Sequence, residues 1–231
     1  PNLNNLLNSV KKEYAFNVSN FLTKADIYII CVPTPKKEKK SDLTYIQNSI
    51  EMISNEIEEG SLVIIESTIP IGTTRKFSEI LFNIRKDLNK EKIYFAHCPE
   101  RVLPGKAIFE IKNNDRVIGG INKKSTELAA NIYEKFSKGK IFKTSSNTAE
   151  MIKLSENTYR DVNIALANEL AKIAEINEIN IKDVIELANK HPRVNIHKPG
   201  IGVGGHCIPV DPYFLIENIT YKKSVIKTSR E

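Results

Sequence analysis

Between Ala25 and Lys143, short apolar, β-branched runs alternate with segments of helical periodicity, and few architectures accommodate that alternation. Ala25-Asp-Ile-Tyr-Ile-Ile-Cys-Val32 and Leu62-Val-Ile-Ile-Glu66 are nearly continuous apolar runs, the pattern of strands covered on both faces. Lys92–His97, Asp115–Gly120 and Gly139–Lys143 read as three more strands. A helix is predicted from about Asp42 to Glu58, with Ser41 or Asp42 as N-cap, Ile46, Ile50, Ile53 and Ile57 on one face, and Gly60 as its stop. Others follow from Thr74 to about Leu88 and from Lys124 to Phe136. This spacing predicts an α/β fold, a doubly wound, parallel, Rossmann-like sheet. Ligands of such sheets lie at the carboxyl ends of the strands, here the loops Pro33-Thr34, Ser67-Thr68 and Cys98-Pro-Glu-Arg101. Upstream, Asn5–Glu13 has weak helical periodicity and Ala15–Asn20 reads as a short strand.

The pattern then changes. From Asn147 to Asn177 there is neither Pro nor Gly, and apolar residues recur at helical spacing, which predicts a helix of about 45 Å at 1.5 Å per residue. A helix that long bridges domains or builds a subunit interface. A shorter helix is expected over Ile181–Lys190, ended by His191-Pro192.

Next comes Gly200-Ile-Gly-Val-Gly-Gly-His-Cys-Ile-Pro-Val-Asp211. Four of the ten glycines and three of the ten prolines fall between Pro199 and Pro212, so this backbone bends tightly and approaches another molecule closely. Its glycines superficially match G-x-G-x-x-G, but Lys198-Pro199 precedes them instead of a strand, and Pro209 and Pro212 follow instead of a helix. If a dinucleotide binds, its pyrophosphate loop is expected upstream of residue 1, and the Pro1 start and the ending at Glu231 read as those of a fragment. Cys207, in a polar turn with Asp211 four residues on, is the candidate reactive thiol; its thiolate needs a cation nearby. Lys153, Asn157 and Arg160 stand at i, i+4 and i+7 on the long helix, either a solvated stripe or the source of that cation. His191 and Arg193 either clamp a pyrophosphate or sugar hydroxyls, or lie idle on the surface.

The net charge of +6 resides largely in clusters such as Lys36–Lys40 and Lys123-Lys124 without interleaved aromatics, which reads as a solvated face and argues against nucleic acid. No apolar run reaches the ~20 residues that span a bilayer and no secretory pattern opens the chain, so no membrane association is expected. Three widely spaced cysteines fit a reducing, cytoplasmic compartment; Cys31 and Cys98 read as small buried hydrophobes. His97-Cys98 and His206-Cys207 invite zinc, but ligand spacing such as C-x-x-C is missing and no metal is expected.

Taken together, Val32-Pro-Thr-Pro35, Glu66-Ser-Thr-Ile-Pro-Ile-Gly-Thr73, Cys98-Pro-Glu-Arg-Val-Leu-Pro-Gly105, Glu150–Asn163, His191-Pro-Arg-Val-Asn195 and Gly204–Tyr213 resemble, in order and spacing, the UDP-glucose/GDP-mannose dehydrogenase family. Their wording is most similar to the branch that oxidises UDP-N-acetyl-D-mannosamine. The resemblance implies an NAD-dependent, four-electron oxidation of a sugar C6 alcohol to a carboxylate. It implies that Cys207 is the nucleophile, that Lys153 stabilises an oxyanion and shuttles a proton, that Asn157 bonds the same oxygen, and that Asp211 orients water or lysine. Thr34 and Thr68 match the family's NAD contacts. Arg101, Val102, Lys153, Asn157, Arg160, His191, Arg193 and Gly204 match its substrate contacts.

By the same resemblance, residues 1–144 are the remainder of an NAD-binding domain, 145–221 a central helical dimerisation and catalytic domain, and 222–231 the start of a UDP-binding domain. A homodimer or higher homo-oligomer through the long helix is implied. Pro104, His206 and Val210 depart from the UDP-glucose enzymes, which carry Glu, Ser and Lys there, and disfavour that substrate. UDP-N-acetylglucosamine oxidation and a catalytically silent, oligomerising fragment are the alternatives.

Overall fold

The computed structural model describes residues 5, 7, 8, 10, 16–103, 105–205, 207–220 and 224–229. They form two compact units, Pro1–Thr34 with Leu43–Glu150, and Pro35–Asp42 with Met151–Glu231.

The first unit holds a five-stranded sheet in the order β1 (Ile27–Ile30), β4 (Leu62–Ile65), β5 (Tyr94–His97), β6 (Arg116–Gly120), β7 (Ile141–Ser145). The all-aliphatic β4 lies wholly buried, and its residues alternate between two cores. Val63 and Ile65 pack with Ile46, Ile50 and Ile53 of α1 (Thr44–Glu56) and with Phe77 and Leu81 of α2 (Thr73–Ile84). Leu62 and Ile64 pack on the other face with Ala129, Ala130 and Tyr133 of α4 (Lys123–Tyr133). Each fully buried Ile or Leu is worth about 1.5–3 kcal/mol, so two apolar layers on one strand fix the register. Among the described residues β1 pairs on one side only, with Ile27 and Ile29 exposed.

The expected sheet is corrected in one respect. β1, β4 and β5 are parallel, as are β6 and β7, but β5 and β6 run antiparallel, Ala96 opposite Gly120 and His97 opposite Gly119. The link between them contains α3 (Ala107–Asn113), which buries no residue. A parallel crossover needs a helix packed back on the sheet; without one the chain returns antiparallel. Gly119 permits the close approach of β7, since a Cβ there would sit 2.1 Å from the Ser145 carbonyl oxygen. The carboxyl ends of β1, β4 and β5 therefore share one edge, where Thr34, Thr68 and the Cys98–Val102 loop emerge, and those of β6 and β7 face the other way.

Other expectations are adjusted. Residues 16–19 form no strand, Ala15 is outside the described residues, and of Asn5–Glu13 the described Asn5, Leu7, Asn8 and Val10 are helical. The N-cap position of α1 falls to Leu43, one residue after the expected Asp42, and Leu43 itself makes no side-chain cap. Cys31 is exposed instead of buried, because it lies just past β1 at the open edge; Cys98 is buried.

In the second unit α5, which begins in the first at Ser146 and ends at Ile176, meets the expected bounds within one residue. α6 (Ile181–Ala188) follows a turn in which Glu178 adopts φ 56°. The lysine run is more than a solvated face. Lys36–Lys37 (β2) and Lys40–Ser41 (β3) form an antiparallel hairpin held to α7 (Asp211–Ile216) by Ser41, whose N–H and Oγ donate to Glu217 at 3.2 and 2.8 Å. Lys36 Nζ stands 4.3 Å over the Tyr213 ring. The last element is α8 (Val225–Thr228).

Candidate active site

The Cys207 segment is built from the helices outward. No strand precedes its glycines, which removes the phosphate-loop reading, but a helix does follow: α7 starts at Asp211, with Pro212 in its first turn, where the missing N–H costs nothing. The Cys207 carbonyl accepts from the N–H groups of Val210 and Asp211, both at 2.9 Å, so cysteine and aspartate sit on one tight turn. Gly202 and Gly205 have φ 140° and 86°, conformations that glycine adopts freely and other residues only with strain. Cys207 is exposed, and His206, like Pro104, lies outside the described residues.

Three asparagines fasten this segment. Asn157 Nδ2, on α5, donates to Asp211 Oδ2 at 2.6 Å. Asn168 Oδ1, three turns on, accepts from the Gly200 N–H at 2.8 Å. Asn189 bonds both the N–H and the carbonyl of Ile196, at 2.7 and 3.0 Å. Asp211 is buried; desolvation pushes its carboxyl above the ordinary value, while the Asn157 bond and the Lys153 charge hold it down. Lys153 and Asn157 are half-buried, whereas Arg160, His191, Arg193 and Gly204 are exposed. The Arg193 N–H reaches His191 Nδ1 at 3.4 Å. The structure thus groups Cys207, Asp211, Asn157 and the Lys153 charge, and leaves Arg101, Arg160, His191, Arg193 and Gly204 exposed.

At the strand edge of the first unit, Thr34 Oγ1 is buried without a hydrogen-bond partner among the described residues, and Thr68 is half-buried. Glu100 Oε1 accepts from the N–H groups of Arg101 and Val102 at 2.6 and 2.9 Å. Glu66 accepts from Tyr133 Oη and, at 3.4 Å, from Cys31 Sγ. Burial and the Glu66 charge push the Cys31 thiol up to about 12, and burial pushes Cys98 up to about 11, so both stay protonated. Burial also raises the Tyr133 phenol. No group of three or more His, Cys, Asp or Glu gathers among the described residues in a way that would hold a metal ion, and no helix among them is long and apolar enough to cross a membrane.

Sequence reading missed Asn168, Asn189 and Glu150. The last, at the start of α5, is fully buried and accepts from the Gly72 N–H, the Thr74 N–H and Thr74 Oγ1 at 2.6, 2.8 and 2.6 Å, capping α2. Its place three residues before Lys153 was the available signal.

Two family models cover the chain, the NAD binding domain of the UDP-glucose/GDP-mannose dehydrogenase family over residues 1–137 and that family's central domain over 147–231. The chain belongs to this family. A UDP-N-acetyl-D-mannosamine dehydrogenase of Methanocaldococcus jannaschii is 60% identical over 213 residues, which cover 90% of this chain and 48% of that protein. Among solved structures, the UDP-D-ManNAc dehydrogenase of Pyrococcus horikoshii aligns with a TM-score of 0.86 at 48% identity, over 90% of this chain and 50% of the other. The UDP-N-acetyl-mannosamine dehydrogenase of Staphylococcus aureus gives 0.87 at 44%, over 100% and 55%. This family member spans about half the length of the curated relatives it matches.

Proposed function

We propose that this chain supplies the NAD-binding and central portions of an NAD-dependent nucleotide-sugar 6-dehydrogenase that converts UDP-N-acetyl-D-mannosamine to its uronate in the cytoplasm, for polysaccharide synthesis. The observation that carries the catalytic reading is Asp211, a buried carboxylate on the same turn as the exposed Cys207, held by Asn157 and within the field of Lys153. The sugar is carried over from the names of the relatives.

The Thr34 hydroxyl, buried without a partner among the described residues at the sheet's carboxyl edge, fits a cofactor contact, and Thr34 with Thr68 would hold NAD. NAD supplies the hydride acceptor for both oxidations. Cys207 Sγ adds to the C6 aldehyde carbon, forming a C–S bond while the carbonyl oxygen takes a proton. Lys153 holds that proton at the oxygen, and stabilises the charge as it develops. Once the resulting thiohemiacetal has been oxidised to a thioester, water adds at carbon and the C–S bond breaks, returning the thiolate and releasing the acid. Asp211, kept from solvent, orients Lys153 or the attacking water. Arg101, Val102, Arg160, His191, Arg193 and Gly204 bind the nucleotide sugar.

On α5, Tyr159, Val162, Leu166, Glu169, Ile173 and Ile176 recur at alternating spacings of three and four, and four of the apolar ones are 46–82% exposed, which supports a homodimer through this helix. A second reading is a chain that oligomerises through α5 but does not turn over by itself.

NADH release by the full-length protein, assayed with UDP-N-acetylmannosamine, UDP-N-acetylglucosamine and UDP-glucose, tests the assignment. Two NADH per mannosamine derivative are expected, and a preference for UDP-glucose would sink it. For the chain alone, an NAD titration with light scattering separates the readings: a dimer without NAD affinity supports the silent one.

A further inference from the structure

Arg116, the first residue of β6, is a buried cation, 6% exposed. Taking a guanidinium out of water costs several kcal/mol, and an apolar side chain of similar volume would often serve stability as well. Its Nε is buried without a partner among the described residues, so the site is not optimised for burying charge. What Arg116 does instead is join parts. Its guanidinium lies 5.0 Å from the Tyr133 ring and 5.8 Å from the Phe136 ring, which lock its plane. Nη2 donates to the Ile111 carbonyl at 3.3 Å and approaches Glu100 Oε2 at 3.9 Å; Nη1 approaches Cys98 Sγ at 3.8 Å.

Glu100 completes the chain of contacts. With Oε2 turned to Arg116, its Oε1 gathers the N–H groups of Arg101 and Val102, so the loop backbone is wrapped around a carboxylate that a buried cation holds from behind. Arg101 Nη1 donates in turn to the carbonyl of Asp115, the residue before Arg116, at 3.3 Å.

We propose that Arg116 is a positioning residue which, through Glu100, sets the backbone of Cys98–Val102 and thereby the affinity for the nucleotide sugar, without touching it. This rests on the proposed function, in which Arg101 and Val102 bind that sugar. The fork matters as well as the charge: a lysine ammonium cannot meet Ile111, Cys98 and Glu100 from one fixed plane.

The test is Arg116→Lys in the full-length protein. Expected are a KM for the UDP-sugar raised about tenfold, kcat within about twofold and an unchanged KM for NAD, since loss of uniform binding moves KM alone. Amide exchange of Arg101 and Val102 should quicken by about tenfold while Val63–Ile65 hold. A lower kcat at unchanged KM, the mark of a merely structural role, overturns the proposal, as does an unchanged KM. Should Arg116→Lys not fold, Glu100→Gln, at a more exposed position, must raise KM in the same sense, and an unchanged KM there is equally fatal. A wild type inert with every UDP-sugar overturns the functional reading and the substrate half of this inference with it; an active wild type whose Arg116→Lys variant keeps its KM overturns the inference alone.

Discussion

The side-chain amide of Asn157 donates to the buried Asp211 carboxylate at 2.6 Å, across 54 residues of sequence, and so ties the turn that carries Cys207 to α5. Burial raises the Asp211 carboxyl above its ordinary value, and the amide is the larger of the two influences that restrain it. A carboxyl whose folded pKa exceeds its unfolded one costs stability in full above the folded pKa, and the cost shrinks as pH falls through that value and is gone below the unfolded pKa. Asn157→Ala removes the restraint and raises that pKa further. We expect a loss of about 1–3 kcal/mol at neutral pH that shrinks on acidification. Denaturant midpoints at neutral and mildly acidic pH check this, and an equal deficit at both would contradict it.

The three thiols should separate by reactivity. Cys207 is exposed, Cys98 is buried, and Cys31, open to solvent on one side, is partly desolvated on the other and lies beside Glu66, which together push its thiol up to about 12. Iodoacetamide followed by peptide mass spectrometry should label Cys207 first, Cys31 far more slowly and Cys98 only on unfolding. Glu66→Gln, which removes the charge beside Cys31, should speed its labelling. Equal rates at Cys31 and Cys207 in the wild type would refute the assignment.

Replacing Cys207 by Ser in the full-length protein should abolish acid formation, because an alcohol hydroxyl, unlike a thiol, is essentially unionised at neutral pH and is a far weaker nucleophile. Retained full turnover would refute the covalent mechanism.

The legible and illegible features divide along physical lines. Leu62–Ile65 reads as a central strand because only burial on both faces tolerates four aliphatics in a row. The direction of Arg116–Gly120 does not read at all, since an apolar run looks the same in a parallel or antiparallel pair and the decision lay with α3, too short and exposed to form a crossover. The hairpin at Lys36–Ser41 was hidden by charge; it is held by Glu217, far away in sequence. α7 was hidden by Pro209 and Pro212, although proline favours a first turn. Lys153, Asn157 and Asp211 were each nameable from spacing or resemblance, but that Asn157 spends its amide on Asp211 is a tertiary fact. Arg116 carries no signal, because one arginine before a strand resembles any solvated flank.

Glu150 offers a stability test that is independent of catalysis. Its fully buried carboxylate satisfies three donors at the start of α2, and burial raises its pKa against the pull of those bonds. Glu150→Ala should cost about 3 kcal/mol by leaving them unpaired, and Thr74→Val about 1 kcal/mol by removing one. A double-mutant cycle should return a coupling near the smaller figure; simple additivity would mean that the bonds do not act together.

The α5 stripe makes a prediction whose sign distinguishes it from generic surface effects. Tyr159, Leu166 and Ile173 lie seven residues apart and are 54%, 46% and 51% exposed, so a carboxylate placed there should not disturb the monomer's core. In a dimer the same positions are desolvated against the partner helix, and two buried carboxylates facing apolar side chains would cost several kcal/mol. Leu166→Glu with Ile173→Glu should therefore yield a folded monomer by sedimentation velocity at micromolar concentration. Glu169 interrupts the stripe at a seam position, so a parallel, in-register pair would set it against its own copy, whereas an antiparallel crossing avoids that repulsion. Glu169→Leu should then tighten the dimer by removing a desolvated charge. If the double glutamate variant stays dimeric, or Glu169→Leu loosens the assembly, this face of α5 is not the interface.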